Sequence, residues 1–400
     1  MGELLTATLA ANEVAGRIGA SLLLGGPAGQ AQAAVSAAAA AVAAAKLDGL
    51  DADGIARALA LALQAPPAAS ARTLADGGPA RAQMSAAPAV HGLEAAALAA
   101  SGMSAPLGLL DGDEFFAGRT PEALRAAFTG LRTTWLTATL AFKLVPASTF
   151  VQTPVESVWE ILRRHVKAAD KRLRADQVEG IEVRVAAPAH RLDGGTDDRL
   201  EPASIPYSIP LALGVLIVAH ELSPAVLTAE WLDANAEAVR TVASRVRVVH
   251  DPGRTALSVS PMLRSLAPLF AGVPPLRLVR HLKGATPGMG SARRPWAVDM
   301  FRRVQESRLD RVLGDLRGAV PDLSTARLGE FCLHTDTEVL LYTTRGGTWP
   351  ERRVGPEGAP GWAWQDTRAR VLARHGGEAE TLSVVPVRED GAAWVDALIG

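Results

Sequence analysis

The sequence predicts a mostly α-helical protein with a smaller α+β part, and three observations lead to this fold class. Alanine-rich stretches with apolar residues at helical spacing fill the N-terminal part of the chain. Alternating apolar and charged residues, typical of half-buried strands, follow in the middle. A helical pattern returns over Asp366–Arg374. A chain of 400 residues that is 48% hydrophobic and 21% charged is long enough to form two domains.

Helices dominate the beginning of the chain. Val90–Gly118 opens as an alanine-rich helix, which Gly102 is expected to end because glycine accepts the left-handed backbone conformation. Thr120-Pro121 predicts a further helix start, since a capping hydroxyl precedes a proline at the first helical position. Earlier helices are predicted over Leu4–Ile18, Ala31–Lys46 and Ile55–Leu63.

The middle of the chain combines strands with helices. Ile181–Val185 and Val246–Val248 alternate in polarity, which predicts two half-buried strands. Glu338–Thr344, a Gly346-Gly347 turn and Arg352–Val354 indicate a hairpin. Phe142–Pro154 is interpreted as loop or extended chain, and helices are predicted over Val155–Val166, Ile209–Ala219 and Ala229–Val242.

Composition excludes several classes of protein. A formal net charge of -1 provides no long-range attraction to nucleic acids or acidic membranes. The single cysteine, Cys332, rules out an intrachain disulfide and a cysteine-based metal site. The apolar runs are shorter than the roughly 20 residues that span a bilayer, and the start has no secretory pattern. We therefore expect a soluble cytoplasmic protein.

Short motifs follow one another in a characteristic order. Glu94-Ala95-Ala96 and Asp111-Gly112 flank the break after the small-residue helix, and Lys143-x-x-Pro146 comes next. Ser204-Ile205-Pro206-Tyr207 and the segment Arg245–Pro252 complete the series. Together they resemble the MmgE/PrpD family, which includes 2-methylcitrate dehydratase, cis-aconitate decarboxylase and iminodisuccinate epimerase.

This resemblance implies a domain organisation. A helical core domain would comprise residues 1–142, with 360–400 returning to it, and an α+β lid domain would comprise 143–359. The active site of such a fold lies between the two. The resemblance also implies a small-molecule substrate and a homodimer, with no nucleic-acid partner, no membrane and no metal or nucleotide cofactor.

The resemblance also suggests site residues. Lys143 and Tyr207 fall on catalytic positions of the family motifs, and Arg81 falls near a basic position that binds substrate carboxylates. Each has a plainer interpretation. Arg81 would be a solvated loop residue, Lys143 a charged helix cap, and Tyr207 a core tyrosine with one hydrogen bond.

The family histidines are replaced here. Gln30 occupies one such position, and the second histidine-bearing stretch contains Ser148, with Gln152 nearby. We expect these three residues to bind substrate rather than exchange protons, because imidazole is the usual proton carrier near neutral pH. His91 is the candidate replacement base, although a histidine at a helix start is also a common structural residue.

A long insert over about 253–337 is a second departure from the family pattern. It is apolar and basic, and includes Met262, Leu263 and the segment Arg293-Arg294-Pro295-Trp296. It would form a dimer element or an enlarged apolar pocket wall. Fewer ionisable groups and more apolar surface together suggest a larger, less charged substrate than a tricarboxylate.

Three functions follow from these features. The first is an enzyme of specialised metabolism, such as antibiotic biosynthesis, that acts as a cyclase, isomerase or eliminating lyase on a largely apolar intermediate. The second is a hydro-lyase or decarboxylase acting on a small polycarboxylic acid. The third is a non-catalytic binding protein.

Overall fold

The N-terminal part of the chain is a layer of packed helices. The computed structural model describes residues 2–25, 30–68, 79–193, 200–274, 277–278 and 309–360. Its first helices confirm those predicted from the sequence; three extend the predicted bounds slightly, and the fourth begins seven residues before the predicted Val90. They are α1 (Gly2–Ser21), α2 (Gln30–Leu47), α3 (Ala52–Gln64) and α4 (Gln83–Ala100).

Alanine allows these helices to approach one another closely. A buried cluster of alanines from α2, α3 and α4, among them Ala41, Ala58 and Ala96, forms the interface. The closest approach is at Gly92 of α4, where an added Cβ would lie 2.3 Å from the carbonyl oxygen of Ala37. Small side chains therefore determine the spacing of this layer.

The prediction that a helix starts at Thr120-Pro121 is wrong. Residues 121–124 form bends and coil, and only a 3-10 turn follows, at Arg125–Phe128. The Thr120 hydroxyl instead donates to the carbonyl oxygen of Glu122 (2.8 Å) and accepts from its N–H (3.3 Å). Local side-chain hydrogen bonds of this kind compete with helix formation.

The next helix begins earlier than expected. Helix α5 covers Thr149–Ala169, so the loop predicted through Pro154 ends at Ser148. The Ser148 hydroxyl accepts from the N–H of Phe150 (3.3 Å) and caps the helix. Residues 151–158 are all buried, and this packing outweighs the missing N–H of Pro154.

A four-stranded sheet forms the centre of the α+β part. Its strands are β1 (Val178–Val185), β2 (Val246–His250), β3 (Thr337–Thr343) and β4 (Thr348–Arg353), in the order β2-β1-β3-β4. β1 and β2 are parallel, whereas β1–β3 and β3–β4 are antiparallel. Both strands predicted from alternation and the predicted hairpin are confirmed.

Helices cover this sheet and complete its core. Val, Leu and Ile side chains from α5, the sheet and two further helices form one buried cluster. The remaining α-helices of the described ranges are α6 (Ala187–Asp193), α7 (Ile209–Ala219), α8 (Ala229–Ala243), α9 (Pro252–Ser265) and α10 (Leu309–Gly318). The predictions for α7 and α8 are confirmed, and α7 is apolar along its whole length.

A buried ion cluster joins α9 to the sheet. Asp251 caps α9, its Oδ1 accepting from the N–H of Gly253 (2.9 Å). Arg254, only 1% exposed, forms ion pairs with Asp336, with Glu338 (2.9 Å) and with Asp251 (3.5 Å). The Asp-Pro end of the motif Arg245–Pro252 therefore starts a helix whose first turn is ionically fixed to β3 and the residue before it.

Some predictions concern residues outside those described. These are the C-terminal helix over Asp366–Arg374 and the basic segment at Arg293-Arg294. Within the described ranges, no helix combines the length and the apolar character that crossing a membrane requires.

Candidate active site

Two of the predicted site residues are in direct contact. Arg81 lies in a 3-10 turn (Pro79–Ala82) immediately before α4, and Tyr207 ends the turn Ile205–Tyr207 immediately before α7. The Arg81 guanidinium carbon lies 4.0 Å from the centroid of the Tyr207 ring. This distance is typical of a cation–π contact. Tyr207 remains 38% exposed, so a ligand can reach it.

The turn that presents Tyr207 follows from its motif. Ile205 is fully buried and anchors the turn, and the Tyr207 N–H donates to the carbonyl oxygen of Ser204 (3.0 Å). Ser208 then caps α7, its hydroxyl accepting from the N–H of Leu211 (3.3 Å). Tyr207 is thereby held between an anchored turn and a capped helix.

The start of α5 reaches the same turn. The Ser148 N–H donates to the carbonyl oxygen of Pro206 (2.7 Å), the residue before Tyr207. The Ser148 backbone therefore lies next to the turn that presents Tyr207, while its hydroxyl caps α5.

Lys143 and Gln152 lie near the same helix start. The Lys143 side chain is exposed. Gln152, one turn after Ser148, is only 2% exposed, and its Oε1 accepts from the N–H of Leu144 (3.2 Å). This contact fixes the backbone next to Lys143 and favours a supporting role for Gln152 over direct substrate binding.

No described contact joins His91 or Gln30 to the residues around Tyr207. His91 lies eight residues after the first residue of α4, about 12 Å along the helix axis. Its Nε2 is buried without a hydrogen-bond partner among the described residues. Gln30 is the first residue of α2, and its side chain lies outside the description.

The sequence did not reveal a cavity of about 810 Å³ farther along α5. Burial lowers the pKa of His334, which lines the cavity, and the nearby Asp336 carboxylate partly opposes this shift. No motif indicates the cavity, because its walls come from segments far apart in sequence. They include Glu156, Trp159, Arg163, Cys332, His334 and Arg353.

Two family models match the chain in the order of these parts. The MmgE/PrpD N-terminal domain matches residues 1–121, and the MmgE/PrpD C-terminal domain matches residues 145–266. The chain belongs to the MmgE/PrpD family. Members of this family are enzymes, among them dehydratases, decarboxylases and epimerases, so a dehydratase or lyase type of enzyme is implied. No curated protein matches the chain.

The matches define where the contact between Arg81 and Tyr207 lies. Arg81 belongs to the N-terminal match and Tyr207 to the C-terminal match. The cation–π contact therefore joins the two family domains.

Proposed function

We propose that this MmgE/PrpD-family chain is an enzyme of specialised metabolism, for example of antibiotic biosynthesis. It acts as a cyclase, isomerase or eliminating lyase on a largely apolar intermediate bound between the helical core and the lid. The observation that carries the proposal is the contact between Arg81 and Tyr207, because it joins one predicted site residue from each matched domain.

The chemistry of this group is hydrogen-bond donation without a histidine. The guanidinium of Arg81 binds a carboxylate or carbonyl oxygen, and the Tyr207 hydroxyl donates to an oxygen of the same substrate. Lys143 supplies a positive charge toward the oxygen on which negative charge develops, which lowers the transition-state energy. Gln30 and Ser148, at the family's histidine positions, do not exchange protons near neutral pH. Orientation of the folded substrate therefore supplies much of the rate.

The substrate is found first, by native mass spectrometry of protein purified from its own host. A large apolar ligand supports the proposal, and its conversion provides the assay. Removing one donor that stabilises developing charge typically lowers kcat by about 10²–10³-fold. We expect Tyr207→Phe and Lys143→Ala to lower kcat by about tenfold or more, since both groups are partly solvated.

The chain offers matched controls for both variants. Tyr342, the second of its two tyrosines, lies on β3, and Lys167 is exposed near the end of α5. Tyr342→Phe and Lys167→Ala are expected to leave kcat within about twofold, because Tyr342 pairs with Gly180 inside the sheet and Lys167 lies about 27 Å along α5 from its first residue. If Tyr207→Phe and Lys143→Ala both turn over like the unsubstituted enzyme, the site assignment fails.

One observation favours a second function, that of a hydro-lyase or decarboxylase acting on a small polycarboxylic acid. The buried Nε2 of His91 has no hydrogen-bond partner among the described residues, so no described contact competes with a substrate for this nitrogen. Turnover of cis-aconitate or 2-methylcitrate that is lost in His91→Ala and kept in His165→Ala would favour this function. A ligand recovered unchanged, with no turnover of any substrate, would instead indicate a binding protein.

A further inference from the structure

The backbone on either side of Lys143 is held by hydrogen bonds. The Phe142 N–H donates to the carbonyl oxygen of Gly358 (2.8 Å), and the Leu144 N–H donates to Oε1 of Gln152 (3.2 Å). The side chain of Lys143 is nevertheless exposed, and that of Phe142 is 46% exposed. Hydrogen bonds, rather than burial of the Phe142 and Lys143 side chains, therefore hold the backbone at this point.

The turn at residues 355–360 approaches this segment too closely for a side chain. Gly358 has a φ of +81°, and an added Cβ would lie 2.3 Å from the carbonyl oxygen of Phe142. Only glycine fits both the conformation and the space. The backbones of Gly358 and Phe142 are therefore in tight, direct contact.

A buried carboxylate on α5 holds the turn in place. Glu156 is 2% exposed, and its Oε2 accepts from the N–H of Glu357 (2.9 Å). Arg353, the last residue of β4, forms ion pairs with Glu156 (3.5 Å) and with Glu357 (3.0 Å). Glu156 lies one helical turn after Gln152, so neighbouring turns of α5 hold the backbone on both sides of Lys143.

We propose that Glu156 and Gly358 are positioning residues for Lys143, acting through the turn at residues 355–360. This inference rests on the role proposed above for Lys143. A misplacement of about 1 Å at a reacting group costs up to about 10²-fold in rate, so a fixed backbone at this point has a catalytic consequence. The sequence motif Lys143-x-x-Pro146 gives no sign of these partners, which come from α5 and from the end of the hairpin.

Amide hydrogen exchange tests the proposal without a substrate. We expect Gly358→Ala to accelerate exchange of the Phe142 and Leu144 amides by about tenfold or more, because their local opening becomes easier. Gly346→Ala is the matched control, since Gly346 has the same φ of +81° but no described atom within 4 Å of an added Cβ. It is expected to leave these amides within about twofold of the unsubstituted protein.

A second pair of variants covers the case in which Gly358→Ala does not fold. Glu156→Gln keeps an oxygen that accepts from Glu357 but removes the charge that faces Arg353, and we expect several-fold faster exchange. Glu237→Gln, at an exposed position of α8, removes the same type of charge from a different helix and is expected to leave the amides unchanged.

Turnover separates this inference from the proposed function. The proposal predicts that Gly358→Ala lowers kcat by about tenfold with a smaller change in KM, because the cation is misplaced while substrate binding remains. Unchanged exchange in Gly358→Ala overturns the positioning role and leaves the function standing. Faster exchange with normal turnover, in an enzyme that Lys143→Ala inactivates, also overturns it. If Lys143→Ala itself has no effect, the proposed role of Lys143 fails and the positioning role fails with it.

Discussion

The N-terminal helices and the α+β part are built on opposite packing principles. The interface of α2, α3 and α4 consists of buried alanines, and its backbones approach one another closely at Gly92. The core around the sheet consists of Val, Leu and Ile, and a buried ion cluster around Arg254 lies at its side. The interface of α2, α3 and α4 therefore depends on side chains staying small. The α+β part depends on filled volume and on paired charges.

The candidate site takes one group from each of these parts. Arg81 precedes a helix of the alanine layer, and Tyr207 precedes the fully apolar helix α7. A change that loosens either part will alter the contact between the two side chains without touching them. Stability measurements on the two parts are therefore needed before any loss of activity is assigned to chemistry.

The largest effect is expected from Arg254→Ala. Removal of this cation takes the fully buried partner from Asp336, which is 1% exposed and keeps an ion pair with Arg352 (3.2 Å), and takes one partner from the less buried Glu338. Breaking a buried ion pair from one side typically costs about 3–5 kcal/mol. The free energy of unfolding from urea denaturation measures this loss. Arg163→Ala, which breaks the solvated pair with Glu160, should cost about 0–0.5 kcal/mol. Equal losses in the two variants would show that burial does not set the cost.

A smaller effect is expected from Gly92→Ala in the alanine layer. The new methyl group meets the carbonyl oxygen of Ala37 at 2.3 Å, so α2 and α4 must move apart. Overpacking of this kind costs about 1–3 kcal/mol, even though alanine is the better helix former. Gly314→Ala on α10 is the control, since no atom of the described residues lies within 4 Å of an added Cβ there. It should be neutral or stabilise by up to about 1 kcal/mol. A stable Gly92→Ala protein would mean that the layer is not closely packed.

Periodic patterns predicted most of the fold. Alternation over Ile181–Val185 and the apolar run at Ile209–Ala219 each correspond to an observed element, since burial imposes a period on the sequence. The start predicted at Thr120-Pro121 failed because the threonine hydroxyl bonds locally to Glu122. The periodic pattern predicted α5 only from Val155, and its earlier start at Thr149 follows from the Ser148 cap and from burial of the residues after it.

The site was predictable only in part. Arg81, Lys143 and Tyr207 came from resemblance to a family, and the contact between Arg81 and Tyr207 needed the fold. Glu156 and Gly358 carry no local signal, because each acts through a partner distant in sequence. Such contacts are specified by the tertiary structure and not by spacing along the chain.

The smallest expected effect is a change of stability with pH. It should differ between the N-terminal helices and the α+β part, because their histidines differ. Among the described histidines, the pKa is lowered for His220, His250 and His334, and burial is the main cause for each. All three lie in the segment that contains the sheet and its helices. Electrostatic repulsion from His190, whose ring centroid lies 6.0 Å away, lowers the pKa of His250 further. The unfolded chain then binds protons below about pH 6.5 that the folded chain resists.

Stability from these histidines is therefore fully present above about pH 6.5 and is lost as the pH falls through the folded-state pKa values. Amide exchange at pH 7.5 and 5.5, corrected for the intrinsic rate, should show that β1 and β2 lose protection at the lower pH while α2 and α4 keep theirs. His250→Gln should reduce the difference in β2, because it removes one group that resists protonation. Equal losses in both parts would mean that acid acts on the whole molecule, and the contrast between the two parts would then concern packing alone.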